Sequence, residues 1–187
     1  QFMDEPAITS KDIVMLGNSL TEGGGDWSAR LGKKNVRNRG IIGDEVMGIY
    51  DRLHQILPGH PAKLFLLIGV NDISHNLTSD SIVSMIRMTR ERIRKESPDT
   101  KLYLQSLLPF NESFGRYKSL TGKTDMVPEV NARLEALAKE KDIAYINLFP
   151  LFTEKGTNVL RSELTGDGLH LNEDGYRIWV KAIKKKI

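Results

Sequence analysis

The 187-residue chain has no cysteine. This excludes disulfides, thiolate nucleophiles and thiolate metal sites, but it does not separate a reducing from an oxidising compartment. Histidines number only 4. Of these, His54, His60 and His75 are scattered, with no neighbouring carboxylate-rich cluster of the kind that holds a catalytic metal, so they read as surface residues and neither metal nor cofactor is expected. No run reaches the roughly 18 apolar residues of a membrane-spanning helix. Aromatic residues make up 7% of the chain and the formal net charge is only +3. The basic clusters Arg87, Arg90, Arg92, Arg94, Lys95 and Lys184-Lys185-Lys186 are interleaved with Glu91 and Glu96 or end a helix, which is how solvated faces are built; a nucleic-acid surface is broader and interleaved with aromatics. The glycine-rich Thr21-Glu22-Gly23-Gly24-Gly25 stretch lacks the Gly-Lys-Ser/Thr ending that holds nucleotide phosphates. It reads as a flexible wall of the first loop, where Trp27 is the only aromatic near enough to flank a flavin, and Trp27 itself reads as a core or pocket-wall residue.

What remains is ordinary for one globular domain over residues 1–187, with 40% hydrophobic and 27% charged residues. The chain begins with Gln1 in place of an initiator Met, which a removed secretory signal peptide and a trimmed boundary explain equally, so the location is either secreted or periplasmic, or else cytoplasmic. Asn-x-Ser/Thr sequons at Asn76 and Asn111 would matter only in a eukaryotic secretory host. Oligomeric state cannot be read from the chain.

Apolar runs alternate with helical patterns, the signature of a parallel sheet covered on both faces. Strands are predicted near 12–17, 35–39, 63–69, 101–107 and 143–148. Helices are predicted near 26–32, 44–57, 79–96, 128–141 and 173–185, the third capped by Thr78 or Ser79 with Asp80, the fourth led by Pro128. Right-handed crossovers make this a three-layer α/β/α sandwich, flavodoxin-like, with a five-stranded parallel sheet in the order 2-1-3-4-5 and ligands expected at the carboxyl ends of the strands.

That edge is where the reactive residue types fall. Gly17-Asn18-Ser19-Leu20 ends the first strand. A serine hydroxyl is a poor nucleophile unless an imidazole takes its proton and a carboxylate orients that imidazole, and Asp167-Gly168-Leu169-His170 supplies both types in one tight turn. Each piece has a structural reading as well: Gly-x-Ser suits a helix N-cap, and Asp-x-x-His suits a capped polar turn. Two further segments bear on the choice. Asn38-Arg39-Gly40-Ile41-Ile42-Gly43-Asp44 places Gly43 just before a helix N-terminus, which favours negative charge. The run Lys63 to Ile68 ends at Gly69 and delivers Asn71 and Asp72 into a loop, with Asp72 ordering it. The amides of Gly43 and Ser19 with the Asn71 side chain would form a three-donor oxyanion hole.

With these residues in view, the chain resembles the SGNH hydrolases, or GDSL-like esterases and lipases, whose four blocks supply Ser, Gly, Asn and His in that order. Ser19, Gly43, Asn71 and His170 match them, with Asp167 matching the final block's aspartate, over residues 13 to 180. The family's first block usually reads Gly-Asp-Ser; here it is Gly17-Asn18-Ser19, which alters local charge without removing the nucleophile. The resemblance implies a metal-independent serine esterase, with Ser19, Asp167 and His170 catalytic. The compact chain and open first loop favour a short acyl group, acetyl above all, on a carbohydrate such as a sialate or polysaccharide. A lipid-directed lipase, lysophospholipase or acetylhydrolase is the second reading, and a non-catalytic carbohydrate- or partner-binding module is a third, of another class. Residues 108–127 follow the fourth strand with no clear period and carry Pro109, Phe110, Asn111, Phe114, Tyr117 and Gly122. They are expected to form a substrate-facing lid or rim, against the alternative of a disordered excursion.

Overall fold

The computed structural model describes residues 1–187. Its five parallel strands are β1 Ile13–Gly17, β2 Val36–Gly40, β3 Lys63–Leu67, β4 Lys101–Gln105 and β5 Ala144–Ile146, in the order β2-β1-β3-β4-β5. The helices are α1 Ser19–Glu22, α2 Trp27–Leu31, α3 Val46–Arg52, α4 Val70–Ser74, α5 Ser79–Glu96, α6 Met126–Lys141 and α7 Glu173–Ile183. The α/β architecture and the strand order agree with the sequence reading.

A strand buried on both faces needs apolar side chains in both directions, and β1 (Ile-Val-Met-Leu-Gly) is buried at every position. It lies between β2 and β3, with Ile13 beside Val36 on one side and Lys63 on the other. Helix α5 packs against both α3 and α6. On α2 and α7, Trp27, Tyr176 and Trp179 form an aromatic cluster, Trp27 meeting Trp179 edge-to-face at 5.0 Å between ring centroids. Trp27 is therefore a core residue. No helix is long and apolar enough to cross a membrane.

Several boundaries differ from the expectation for physical reasons. The predicted ends at 69, 107 and 148 overran because Ile68, Leu107 and Leu148 stay buried after strand pairing stops; Leu107, for example, donates its amide to the Asn131 side chain at 2.7 Å instead of to a neighbouring strand. The predicted 44–57 helix is α3 followed by two 3-10 turns, Leu53–Gln55 and Leu57–Gly59, the second holding Pro58, which has no amide hydrogen to donate. Helix α6 starts at Met126, so Pro128 sits inside its first turn. Thr78 caps α5 as expected, accepting the Ser81 amide at 3.1 Å.

Gly17 and Gly40 are paired at the carboxyl ends of β1 and β2. A Cβ on Gly40 would collide with the Glu22 amide and the Asn18 carbonyl, so this glycine lets α1 lie directly on the end of β2. The Gly23–Gly25 stretch is not the loose wall expected of it. The Asn38 side chain donates to Gly25 O at 3.0 Å and Arg30 Nε donates to Gly24 O at 2.5 Å.

Candidate active site

Ser19 is the first residue of α1, with Asn18 as the N-cap, whose Oδ1 accepts the Leu20 amide at 3.0 Å. The N-cap role that the Gly-x-Ser pattern suggested for serine thus falls on Asn18, which leaves the Ser19 side chain uncommitted to the cap. Asn18 is fully buried and its Nδ2 has no partner.

His170 reaches this turn from the far end of the chain. After β5 the backbone returns along irregular segments, and an antiparallel bridge between Thr165 and Leu171 closes the loop that carries Asp167 and His170. Thr165 Oγ1 accepts the amides of Asp167 and Gly168, while Asp167 Oδ1 accepts those of Leu169 and His170 at 2.9 and 2.8 Å. These bonds fix the carboxylate so that its other oxygen faces the ring. His170 Nδ1 donates to Asp167 Oδ2 at 2.7 Å, and Nε2 stands 2.9 Å from Ser19 Oγ. The tautomer follows from these partners: a carboxylate only accepts, so Nδ1 carries the hydrogen and Nε2 presents a lone pair to the hydroxyl. Partial burial pushes the Asp167 carboxyl upward, but hydrogen bonds from His170, the Leu169 and His170 amides and Tyr117 together outweigh it and hold the group well below the usual carboxylate range. The side chains of His170 and Asp167 retain 33% and 28% of their exposure, so the site is open to solvent.

The Gly43 and Asn71 blocks are joined by two neighbouring contacts. Asn71 Nδ2 donates to the Asp44 carbonyl at 2.9 Å, and Asp72 accepts the Val46 amide at 3.2 Å. Asn71 lies in α4, a five-residue helix entered through Gly69, and not in the loop expected of it. Asp72 correspondingly holds the start of α3, taking the place at its N-terminus where negative charge is favoured. Arg52, a buried residue not foreseen from the sequence, donates to Asp44 Oδ2 at 2.8 Å and to the Gly17 carbonyl at 3.0 Å, linking the second block to the first. Gly43 has φ +78°, is exposed, and would have nothing within 4 Å of an added Cβ. Its amide donates to no protein group, and the Ser19 amide, at the first position of a helix, has no intrahelical acceptor.

Burial raises the Asp72 carboxyl from the ordinary 3.8 to about 6, against the Val46 amide, which lowers it. Asp72 is 1% exposed. A folded-state pKa above the unfolded one adds stability that is complete below about pH 4 and is lost as pH rises through about 6. The two values correspond to roughly 3 kcal/mol. Asp72→Asn removes the titration, so the stability advantage of wild type over the variant shrinks from pH 4 to pH 7 by that order. Urea unfolding across this range checks it, and parallel curves would show that Asp72 does not titrate there.

Residues 108–127 are ordered. They contain 3-10 turns at Glu112–Phe114 and Lys118–Leu120, and Phe110 and Leu120 are buried. The Asn111 amide donates to Gly168 O at 2.7 Å, and Lys123 Nζ donates to the carbonyls of Ile73 and Ser119. The segment therefore bridges α4 and the Asp167–His170 loop. From it Tyr117 donates its hydroxyl to Asp167 Oδ2 at 3.0 Å; the sequence marked Tyr117 only as one aromatic of this stretch. His54, His60 and His75 are exposed, and His75 pairs with Glu45 at 3.0 Å.

The description of the family whose model matches residues 15–178 is the GDSL-like lipase/acylhydrolase family. No curated protein matches the chain. Among solved structures, an acylhydrolase candidate from Bacteroides fragilis is 25% identical with a TM-score of 0.85, over 98% of this chain and 90% of its own. A GDSL-like lipase from Bacteroides thetaiotaomicron is 26% identical with a TM-score of 0.84, over 95% and 87%. An acetyl xylan esterase shares the fold at 20% identity and a TM-score of 0.78, over 94% of this chain and 99% of its own. The match over residues 15–178, on a sheet of this order, places the chain in the GDSL-like lipase/acylhydrolase family, the SGNH hydrolases, and makes it an ester-bond hydrolase.

Proposed function

We propose that the protein is a serine esterase that removes short acyl groups, acetyl above all, from a carbohydrate carrier through an acyl-enzyme on Ser19. The observation that carries this reading is the continuous relay from Ser19 Oγ to His170 Nε2 at 2.9 Å and from His170 Nδ1 to Asp167 Oδ2 at 2.7 Å. As Ser19 attacks the ester carbonyl, His170 takes its proton. The imidazolium formed is stabilised by Asp167 and then protonates the leaving alkoxide. Water repeats the sequence in reverse to release the acid. Negative charge developing on the carbonyl oxygen is met by the amides of Ser19 and Gly43 and by the second Nδ2 hydrogen of Asn71, its first being held by Asp44 O.

The short-acyl preference is supported by the open site and by a rim that carries exposed Arg116 and Lys118, polar groups suited to a hydroxyl-rich carrier. A lipid-directed reading is favoured by one observation: Ile42, beside Gly43, is 72% exposed, and Phe114, beside Gly168, is 39% exposed. Hydrolysis of p-nitrophenyl esters from acetate to palmitate, by wild type and Ser19→Ala in parallel, separates the two. The expected result is a Ser19-dependent rate that falls steeply beyond butyrate. A preference for long chains would transfer the assignment to lipid esters, and an absence of Ser19-dependent turnover would count against the serine mechanism.

A further inference from the structure

The Asp167 oxygen that receives the His170 ring also receives a second donor. Tyr117 Oη lies 3.0 Å from Asp167 Oδ2 and 3.2 Å from His170 Nδ1, and the two rings meet edge-to-face with centroids 5.7 Å apart. Oδ1 of the same carboxylate is already engaged by the Leu169 and His170 amides. We propose that Tyr117 is a positioning residue that shares Asp167 Oδ2 with His170 and thereby sets how strongly the carboxylate supports the protonated ring.

The proposal rests on the reading of His170 as the base. A carboxylate stabilises an imidazolium through the charge on the oxygen that faces it, and a neutral O–H donor on that oxygen withdraws part of this charge. Tyr117 thus makes His170 easier to deprotonate than Asp167 alone would. Burial, and then the Asp167 carboxylate, raise the Tyr117 phenol, so it remains a neutral donor through the working pH range. The charged groups at this contact are Asp167 on the 165–171 loop and Arg116 on the 111–123 segment, whose guanidinium carbon lies 5.6 Å from the Tyr117 ring centroid. Ser19 faces the other side of the ring and is uncharged. The segment is held at both ends, to Gly168 through Asn111 and to α4 through Lys123, so the hydroxyl is delivered by a fixed scaffold and not by a free side chain.

The test is the titration of the His170 ring, followed by long-range 1H–15N NMR on the substrate-free protein, its signals identified by their loss in His170→Ala. In Tyr117→Phe the titration midpoint is expected to rise by ~0.5 pH unit, the size of one withdrawn hydrogen bond. The acid limb of the kcat/KM profile on p-nitrophenyl acetate should move with it. With 3-fluorotyrosine at position 117, a stronger donor of almost the same shape, the midpoint should move down instead. A purely structural role would lower activity at every pH without moving the midpoint. Midpoints that coincide with wild type in the fluorotyrosine protein and in any folded Tyr117→Phe overturn the proposal. Undiminished hydrolysis by Ser19→Ala would instead sink the serine mechanism, and the NMR titration, which needs no substrate, tells the two failures apart.

Discussion

Ser19→Ala is expected to lower kcat on a short-chain ester by ~10⁴-fold or more with little change in stability, and His170→Ala to lower it by a similar amount. Ser19 is partly exposed and its side chain hydrogen-bonds to His170 Nε2 at 2.9 Å, so truncation removes the attacking atom and opens no core cavity. The capping bond that holds the turn belongs to Asn18 and survives the change. In the double variant the losses should not add, because a base without its nucleophile has no proton to take; the double should match the weaker single variant to within a few-fold. Activity left in all three would come from polarisation by the Ser19 and Gly43 amides and Asn71, which none of the changes removes. Single-turnover rates at saturating ester, alongside unfolding midpoints, decide the matter. Additive losses would mean that Ser19 and His170 act independently, contrary to the relay.

Much of this arrangement was legible in the sequence because the signals were of kinds that physics makes local. Strand β1 is five consecutive buried residues, and no solvated segment reads that way. The block order placed Ser19, Gly43 and Asn71 after successive strands, and the parallel sheet carried all three to one edge without any knowledge of side-chain contacts. Helix α5, with 18 residues and Thr78 as its cap, had length enough for its period to show. Helices α1 and α4, with four and five residues, are little more than one turn each, too short for any period, and Asn71 was therefore placed in a loop.

The contacts that tune the site were hidden for a different reason. Tyr117 meets Asp167 across 50 positions in the chain, and nothing in an aperiodic stretch shows which of its aromatics turns inward. Arg52 sits in a helix as an ordinary basic residue, and only the fold reveals that it spans Asp44 and the Gly17 carbonyl. The glycine-rich wall looked loose because glycine permits mobility; the Asn38 and Arg30 side chains that fix it arrive from β2 and α2. Sequence thus identified the groups proposed to react, while the groups that hold them came from long-range packing.

The sharpest test of the relay is a change of one atom. Asp167→Asn is nearly isosteric, and the backbone dictates how the new amide must sit. Two N–H groups, from Leu169 and His170, point at the Oδ1 position at 2.9 and 2.8 Å. The amide oxygen must stay there, because an NH2 group would face two donors. The NH2 is then directed at His170 Nδ1, where the carboxylate had accepted. A donor in that position stabilises the ring with a lone pair on Nδ1 and the hydrogen on Nε2, so Nε2 meets the Ser19 hydroxyl as a donor and cannot take its proton. Reaching the productive tautomer would require the amide to rotate and forfeit both backbone bonds. The expected outcome is a fall in kcat of ~10³–10⁴-fold with the fold and the Ser19 turn intact. Because the barrier is a wrong tautomer and not a missing group, activity should partly recover at high pH, where hydroxide in solution can serve as the base. Asp167→Ala makes the useful comparison: it removes the orienting group without imposing the wrong tautomer, so it should retain more activity near neutrality than Asp167→Asn if the loop keeps its shape. Full activity in Asp167→Asn would mean that this carboxylate does not set the proton on His170.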